Sequence, residues 1–414
     1  MANLSKYIAF GSLMLFSFFQ GMMNIYIGGT EEVLGNIYHF RAPVFTALSS
    51  YLFLGNGIGC IIGGTLIDRY GAGTISSICG IITTIGIFLF TLSHNLINFY
   101  GSEFIIGLGV SVWYPAGIEV LKIHFEPKKL PLLAGMFLFC NALGSASISF
   151  IIYLSKEVGL IDTDYTMLLL SLLLMAYLFA TKKANNPTQE NKRPESLISA
   201  YYDQILLMRN RIVIPVIISQ TLPTVFSYVF LPLWAIPYLS MLLSPTEATF
   251  IVTGALIIYG ISGMLLGELY HKYFSPLGWM MIQFSGSFIA FTFMLYLPEK
   301  ALNFWIVSSI IFTVSVLLGA NNTYLATYLA DLFEPKYTGA ISAVYGYVFQ
   351  FLISAVTPLF GMALSSTSQD GSYSIADYNY ALQYLLLSFA ISTLIIYLVQ
   401  QGTRNYPKII KLHN

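Results

Sequence analysis

The sequence predicts an all-α integral membrane protein, with twelve transmembrane helices in two pseudo-symmetric six-helix bundles. Three observations carry that expectation. The 414 residues are 56% hydrophobic and only 9% charged, with a mean hydropathy of +0.73, whereas a soluble domain carries about 25% charged residues. Lipid must be the solvent for so much apolar surface. Twelve apolar segments reach or approach the roughly 20 residues that a bilayer span requires. The long polar stretch from Thr181 to Arg211 falls at the middle of the chain.

The first segment, Tyr7–Gly28, follows a single lysine, Lys6, and has no small-residue cleavage site, so it is expected to be retained and not removed as a signal peptide. Pro43–Ile67, Thr74–Thr91, Leu96–Leu121, Leu130–Leu154 and the short Tyr165–Ala180 complete the first half. Ile212–Trp234, Ala248–Leu269, Leu277–Leu297, Leu302–Ala326, Gly339–Leu364 and Tyr380–Val399 form the second. Pro115 is expected to interrupt the fourth segment, Pro223, Pro232 and Pro237 the seventh, and Pro358 the eleventh.

With the N-terminus placed inside, sixteen of the nineteen Lys and Arg residues fall on inner loops and tails. Only Arg41, Lys156 and Lys300 fall outside. That bias orients the chain and puts both termini in the cytoplasm. Between the halves, Asn185-Asn186-Pro187-Thr188-Gln189-Glu190 has a linker's composition, and Ser196 to Met208 can form an amphipathic surface helix. The expected division is residues 1–181, a cytoplasmic linker 182–211, and residues 212–414. Phe125-Glu126-Pro127-Lys128 recurs as Phe333-Glu334-Pro335-Lys336, an offset of 208 residues, after the fourth and the tenth segments. The placement supports two parallel repeats.

The junction after the second segment reads Gly59-Cys-Ile-Ile-Gly63-Gly64-Thr-Leu66-Ile-Asp68-Arg69-Tyr-Gly71-Ala-Gly73. Gly59 and Gly63 share a helix face on which another helix can pack closely. Asp68 and Arg69 belong at a membrane surface, and Gly71 and Gly73 can supply the turn. This spacing resembles the loop between the second and third helices of the major facilitator superfamily, without that signature's two trailing basic residues. The second half keeps Gly263 and Gly267 four apart but has His271-Lys272 in place of the acid–base pair.

The resemblance implies secondary transport by alternating access, with helices 1, 4, 7 and 10 lining a central cavity. On those helices Gln20, Asn24, Tyr114, Gln220, Thr224, Tyr228, Asn321, Asn322, Tyr324 and Tyr328 are the expected substrate-binding residues. Several recur at helical spacing, although any single amide can instead serve an interhelical hydrogen bond. Glu103, in Glu103-Phe-Ile-Ile-Gly107-Leu-Gly109, resembles the family's Arg-x-x-x-Gly-x-Gly signature with glutamate in place of arginine. An ionisable group within a span is a functional candidate by default, and Glu103 is the expected proton-coupling residue unless it lies hydrated near the surface. The resemblance also implies an inner latch of Gly64, Asp68, Arg69, Gly71 and Glu119. A local pair of Glu119 with Lys122 is the alternative.

Without a mid-span arginine or lysine, a phosphate or dicarboxylate is a poor substrate. A small polar solute such as an amino acid or nucleoside, taken up with protons, suits the lining. Efflux of amphipathic or cationic compounds is the second reading, and a non-transporting receptor is a reading of another class. No P-loop lysine motif, HExxH or GxSxG is present, and five histidines are scattered, so neither ATP-driven transport, enzymatic catalysis, a metal site nor a cofactor is expected. Cys60, Cys79 and Cys140 read as small buried hydrophobes. Net charge is zero, and nothing suggests nucleic acid. The expected partners are a small solute, protons and the bilayer, for a monomer in a bacterial inner membrane.

Overall fold

The structure, a computed structural model, describes residues 2–126, 129–158, 163–185, 197–273, 275–319, 328, 332, 338–367 and 373–403. Among these there are helices and no strand. Ten helical stretches are long and apolar enough to cross a membrane. The shorter apolar stretches Leu132–Ile148 and Phe304–Gly319 bring the described total to the expected twelve.

The first half contains α1 (Ala2–Tyr38), α2 (Ala42–Tyr70), α3 (Ala72–Thr91), α4 (Leu96–Val110), α5 (Trp113–His124), α6 (Leu130–Val158) and α7 (Thr163–Asn185). A short helix, α8 (Leu197–Met208), stands where the amphipathic linker helix is expected. In the second half, α9 (Val213–Val225), a π-helical segment Phe226–Trp234 and α10 (Ala235–Leu242) form one span. It is followed by α11 (Pro245–Tyr273), α12 (Pro276–Tyr296), α13 (Phe304–Gly319), α14 (Thr338–Thr367) and α15 (Ile375–Thr403). The first helix runs on to Tyr38, past its expected end at Gly28, and the sixth span is longer than expected. The second copy of Phe-Glu-Pro-Lys, and Pro127-Lys128 of the first, lie outside the described residues.

Proline chemistry decides where spans break. Pro115 has no N–H for the Ser111 carbonyl four residues before it, and the fourth span breaks there into α4 and α5. The Cys60 thiol of α2 donates to that carbonyl at 3.4 Å. The seventh span carries Pro223, Pro232 and Pro237, and its middle widens to π-helical at Phe226–Trp234; α9 runs through Pro223 unbroken to Val225, which corrects the expected interruption there. Pro358 corrects the expectation, since α14 runs through it unbroken. The carbonyl that Pro358 leaves without a donor is that of Ser354, and Ser50 Oγ of α2 donates to it at 2.6 Å. A side chain from the neighbouring helix replaces the missing backbone bond.

Close helix packing follows from small residues, as lipid supplies no hydrophobic drive between helices. A Cβ on Gly55 would strike the Phe104 carbonyl, and one on Gly107 would strike that of Leu52, so α2 and α4 touch backbone to backbone. Gly59 and Gly63 continue this seam against Ser111 and Val112 at the break. In the other half Gly263 faces the Gly319 carbonyl, pairing α11 with α13. Gly263 stands 208 residues after Gly55 (263 − 55), the same offset as the tetrapeptide repeat.

The halves meet chiefly through α2 against α14 and α6 against α11, with α1 against the π segment. Ser50 and Ser354 exchange hydrogen bonds across the first seam, Ser354 Oγ donating to the Ser50 carbonyl at 2.8 Å. On the face away from the linker the halves are shut. Gly28 of α1 abuts the Pro232 carbonyl so closely that no Cβ fits between them. The Ala42 N–H donates to Tyr373 Oη at 3.0 Å. Beside these contacts, within the second half, Trp234 of the π segment stacks on Phe360 of α14 with centroids 6.3 Å apart.

Candidate functional site

Four phenols gather where the two halves meet. Tyr345 of α14 has the hydroxyls of Tyr114 (α5), Tyr228 (π segment) and Tyr259 (α11) within electrostatic range. All four side chains are half-buried. Aromatic rings hold them in place: Tyr228 packs on Phe53 at 6.1 Å and on Phe349 at 5.3 Å, and Phe349 on Tyr345 at 5.7 Å. Tyr114 packs edge-on against Trp113 at 5.4 Å. The ring contacts join α2 of one half to the π segment and α14 of the other. Each phenol both donates and accepts, so the cluster can bind hydroxyls, amides or carboxylates without carrying charge.

Tyr114 and Tyr228 were legible as candidates, whereas Tyr259 and Tyr345 were not. They lie on helices eight and eleven, outside the four that the resemblance singles out. Their one sequence signal is a repeated Tyr–Gly pair, Tyr259-Gly260 and Tyr345-Gly346.

The expected amides divide. Gln20 Nε2 donates to Asn24 Oδ1 at 2.9 Å, and Asn141 Nδ2 of α6 donates to Gln20 Oε1. Asn141 also donates to the Ser17 carbonyl at 3.1 Å. This chain of amides ties α1 to α6. Gln220 is 1% exposed, and neither of its amide atoms has a hydrogen-bond partner among the described residues. Leaving such a group unsatisfied costs about 1–3 kcal/mol per donor or acceptor, which a solute or water would relieve. The Thr224 hydroxyl is turned back to the Thr221 carbonyl at 2.6 Å. Tyr328 is buried. Asn321, Asn322 and Tyr324 lie outside the described residues.

Glu103 is 1% exposed, inside the first bundle, and is not at a hydrated helix end. Its Oε1 has no hydrogen-bond partner among the described residues.

At the linker-side junction, Gly71 makes the turn alone, with φ 82° and its N–H donating to the Ile67 carbonyl at 2.8 Å. Gly73 is already inside α3. Arg69 is exposed, its guanidinium over the Tyr70 ring at 5.4 Å. Gly64 faces Ala343 of α14 at 4.0 Å. Glu119 is half-buried, and the Asp68 side chain lies outside the described residues. Among the described residues no group of three or more His, Cys, Asp or Glu can hold a metal ion.

Two helical bundles that meet along a seam of phenols and aromatic rings define the class, a two-bundle helical membrane protein. Residues 11–358 match the family model of the Major Facilitator Superfamily, and the chain belongs to that family. The structure is similar to that of a D-xylose–proton symporter, with a TM-score of 0.68 and 14% identity over 98% of each chain. It is also similar to a bacterial homolog of the human lysosomal transporter Spinster, in an inward-facing, unoccupied conformation. There the TM-score is 0.73 and the identity 14%, over 96% of this chain and 97% of that one. No curated protein matches the chain in sequence.

Proposed function

We propose that this chain is a secondary active transporter that takes up a small polar organic solute, such as an amino acid, nucleoside or similar metabolite, by alternating access coupled to protons. The observation that carries the reading is the phenol cluster, drawn from helices of both halves. A solute held there contacts both bundles, and it therefore favours whichever access state brings the walls together. No lysine or arginine stands at mid-span, which favours neutral or zwitterionic solutes over phosphates and dicarboxylates. Gln220 supplies an amide in need of a partner. Glu103 is the proposed proton carrier, and Asp68, Arg69 and Glu119, with Gly64 and Gly71, the proposed latch of the linker side.

In this reading residues 1–181 and 212–414 are the moving bodies and 182–211 is a cytoplasmic linker. The protein is a monomer in a bacterial inner membrane with both termini inside. The xylose symporter supports proton coupling by likeness of fold alone. A second reading, efflux of an amphipathic cation, draws on the aromatic wall of Phe53, Tyr228 and Phe349.

Proteoliposomes carrying an imposed proton gradient test the proposal. Accumulation of one member of an amino acid and nucleoside panel is expected, with Glu103→Gln abolishing gradient-driven accumulation while leaving solute exchange. Accumulation by E103Q equal to wild type removes Glu103 from the coupling. Flux of none of the panel, with extrusion of a lipophilic cation, favours the second reading. No flux of any solute favours a receptor.

A further inference from the structure

A cavity of about 620 Å3 lies where α8 meets α2, α9 and α14. Ligand pockets span roughly 300–1,000 Å3. Its walls are Ile61, Ile205, Met208, Ile218, Val348 and Phe351. Tyr347, also on its wall, and Phe351 stand two residues on from Tyr345 and Phe349, on the other side of α14 from the phenol crevice. Three polar side chains, Tyr201, Gln204 and Tyr347, also line it, and the two phenols hold α8 in place. Tyr347 Oη donates to Met208 Sδ at 3.1 Å, and Tyr201 Oη lies 3.3 Å from Thr65 Oγ1. Those two contacts fasten α8 to α14 and to α2. Water is a poor occupant of so apolar a space. Ile205 and Met208 remain 50% and 43% exposed at the mouth. Just beyond Met208, Arg209 and Arg211 are exposed, and neither is in an ion pair among the described residues.

The geometry points to a binding site for an anionic phospholipid of the surrounding bilayer, one acyl chain in the α8 cavity and the phosphate on Arg209 and Arg211. The apolar walls match the chain, and the two exposed guanidinium groups that follow Met208, neither in an ion pair among the described residues, match the headgroup. The walls come from both halves, Ile61 from one and Ile218, Val348 and Phe351 from the other, so an occupying lipid senses their relative position. The site does not depend on which solute is carried.

Native mass spectrometry of the full chain tests it. The protein is released from detergent in an equimolar mixture of phosphatidylglycerol and phosphatidylcholine with identical acyl chains. One phosphatidylglycerol is expected to stay bound, preferred on the order of 25-fold, since each surface arginine contributes a factor of about five. The double variant R209Q/R211Q is expected to bring the preference close to unity. Val348→Trp, which fills the cavity, is expected to remove the retained lipid. Should V348W fail to fold, Ile205→Asp at the exposed mouth takes its place and is expected to reduce retention with the fold intact. Equal retention of both lipids by the wild type, a preference unchanged in R209Q/R211Q, or undiminished retention in the folded cavity variant overturns the assignment.

Discussion

At the scale of single residues, one helix repairs the backbone of two others. Ser50 and Cys60, both on α2, donate to the carbonyls orphaned by Pro358 and Pro115. The Ser50 bond is short, at 2.6 Å, and it crosses between the bundles. Losing it leaves a buried carbonyl unsatisfied, at a cost of about 1–3 kcal/mol. Ser50→Ala is therefore expected to lower the thermal midpoint of the detergent-solubilised protein. Restoring the backbone donor with Pro358→Ala should shrink that loss. Additive effects in the S50A/P358A double variant would show that the two sites are uncoupled. In the crevice, Tyr345→Phe and Tyr259→Phe remove a hydroxyl and keep the ring. Each is expected to weaken solute binding by about tenfold, as befits one hydrogen bond of about 1–1.5 kcal/mol. Equal affinities by titration would take those phenols out of the site. The hydroxyl pairings across helices were not legible in the sequence. Ser50 is one serine among many, and nothing in its own neighbourhood announces a proline 308 residues on (358 − 50).

At the scale of elements, much was legible, because lipid leaves few choices. A backbone in hydrocarbon must satisfy itself, so apolar runs become helices. The polar linker stood out by composition, and α8 spans Leu197–Met208, where its pattern allowed a short amphipathic helix. The glycine stripe at Gly59 and Gly63 was legible as a packing face, though not which helix it meets. That partner, the break at Ser111 and Val112, depends on the relative heights of two helices. Pro358 misled because a proline's effect depends on whether a neighbour can supply the missing donor. Gly55 illustrates how little slack the α2–α4 seam has. Gly55→Leu forces a side chain against the Phe104 backbone. Overpacking of this kind costs typically 1–3 kcal/mol, occasionally more. The variant is expected to express poorly or to melt well below wild type, whereas Gly101→Ala, which meets nothing within 4 Å, is expected to be neutral. Similar melting of the two would contradict the close-packed seam.

At the scale of the whole molecule, the far face is held by a small set of contacts between halves. Gly28 against Pro232 and Ala42 against Tyr373 close it. In an alternating-access reading these contacts exist in one state and part in the other. Gly28→Val puts a side chain where the Pro232 carbonyl lies, so it is expected to shift the population towards a state open on the far face. Labelling of a cysteine introduced at Pro232 should then quicken, and an unchanged labelling rate would mean that Gly28 does not gate closure. The two-bundle arrangement was legible from the mid-chain linker and the repeated tetrapeptide. The composition of the crevice was only half legible, since two of its four phenols sit on helices that no face-by-face reading selects.

The most direct test of two bundles rocking about a shared crevice is a distance between them. Ile97 and Trp305 are 82% and 76% exposed at the far ends of α4 and α13, one in each half. Spin labels at these positions in a lipid bilayer report the far-face separation by pulsed dipolar spectroscopy. The account predicts two distance populations in the wild type, with the longer one enriched by Gly28→Val and the ratio moved by a transported solute. A single distance, unmoved by solute and by the Gly28 substitution, would contradict it.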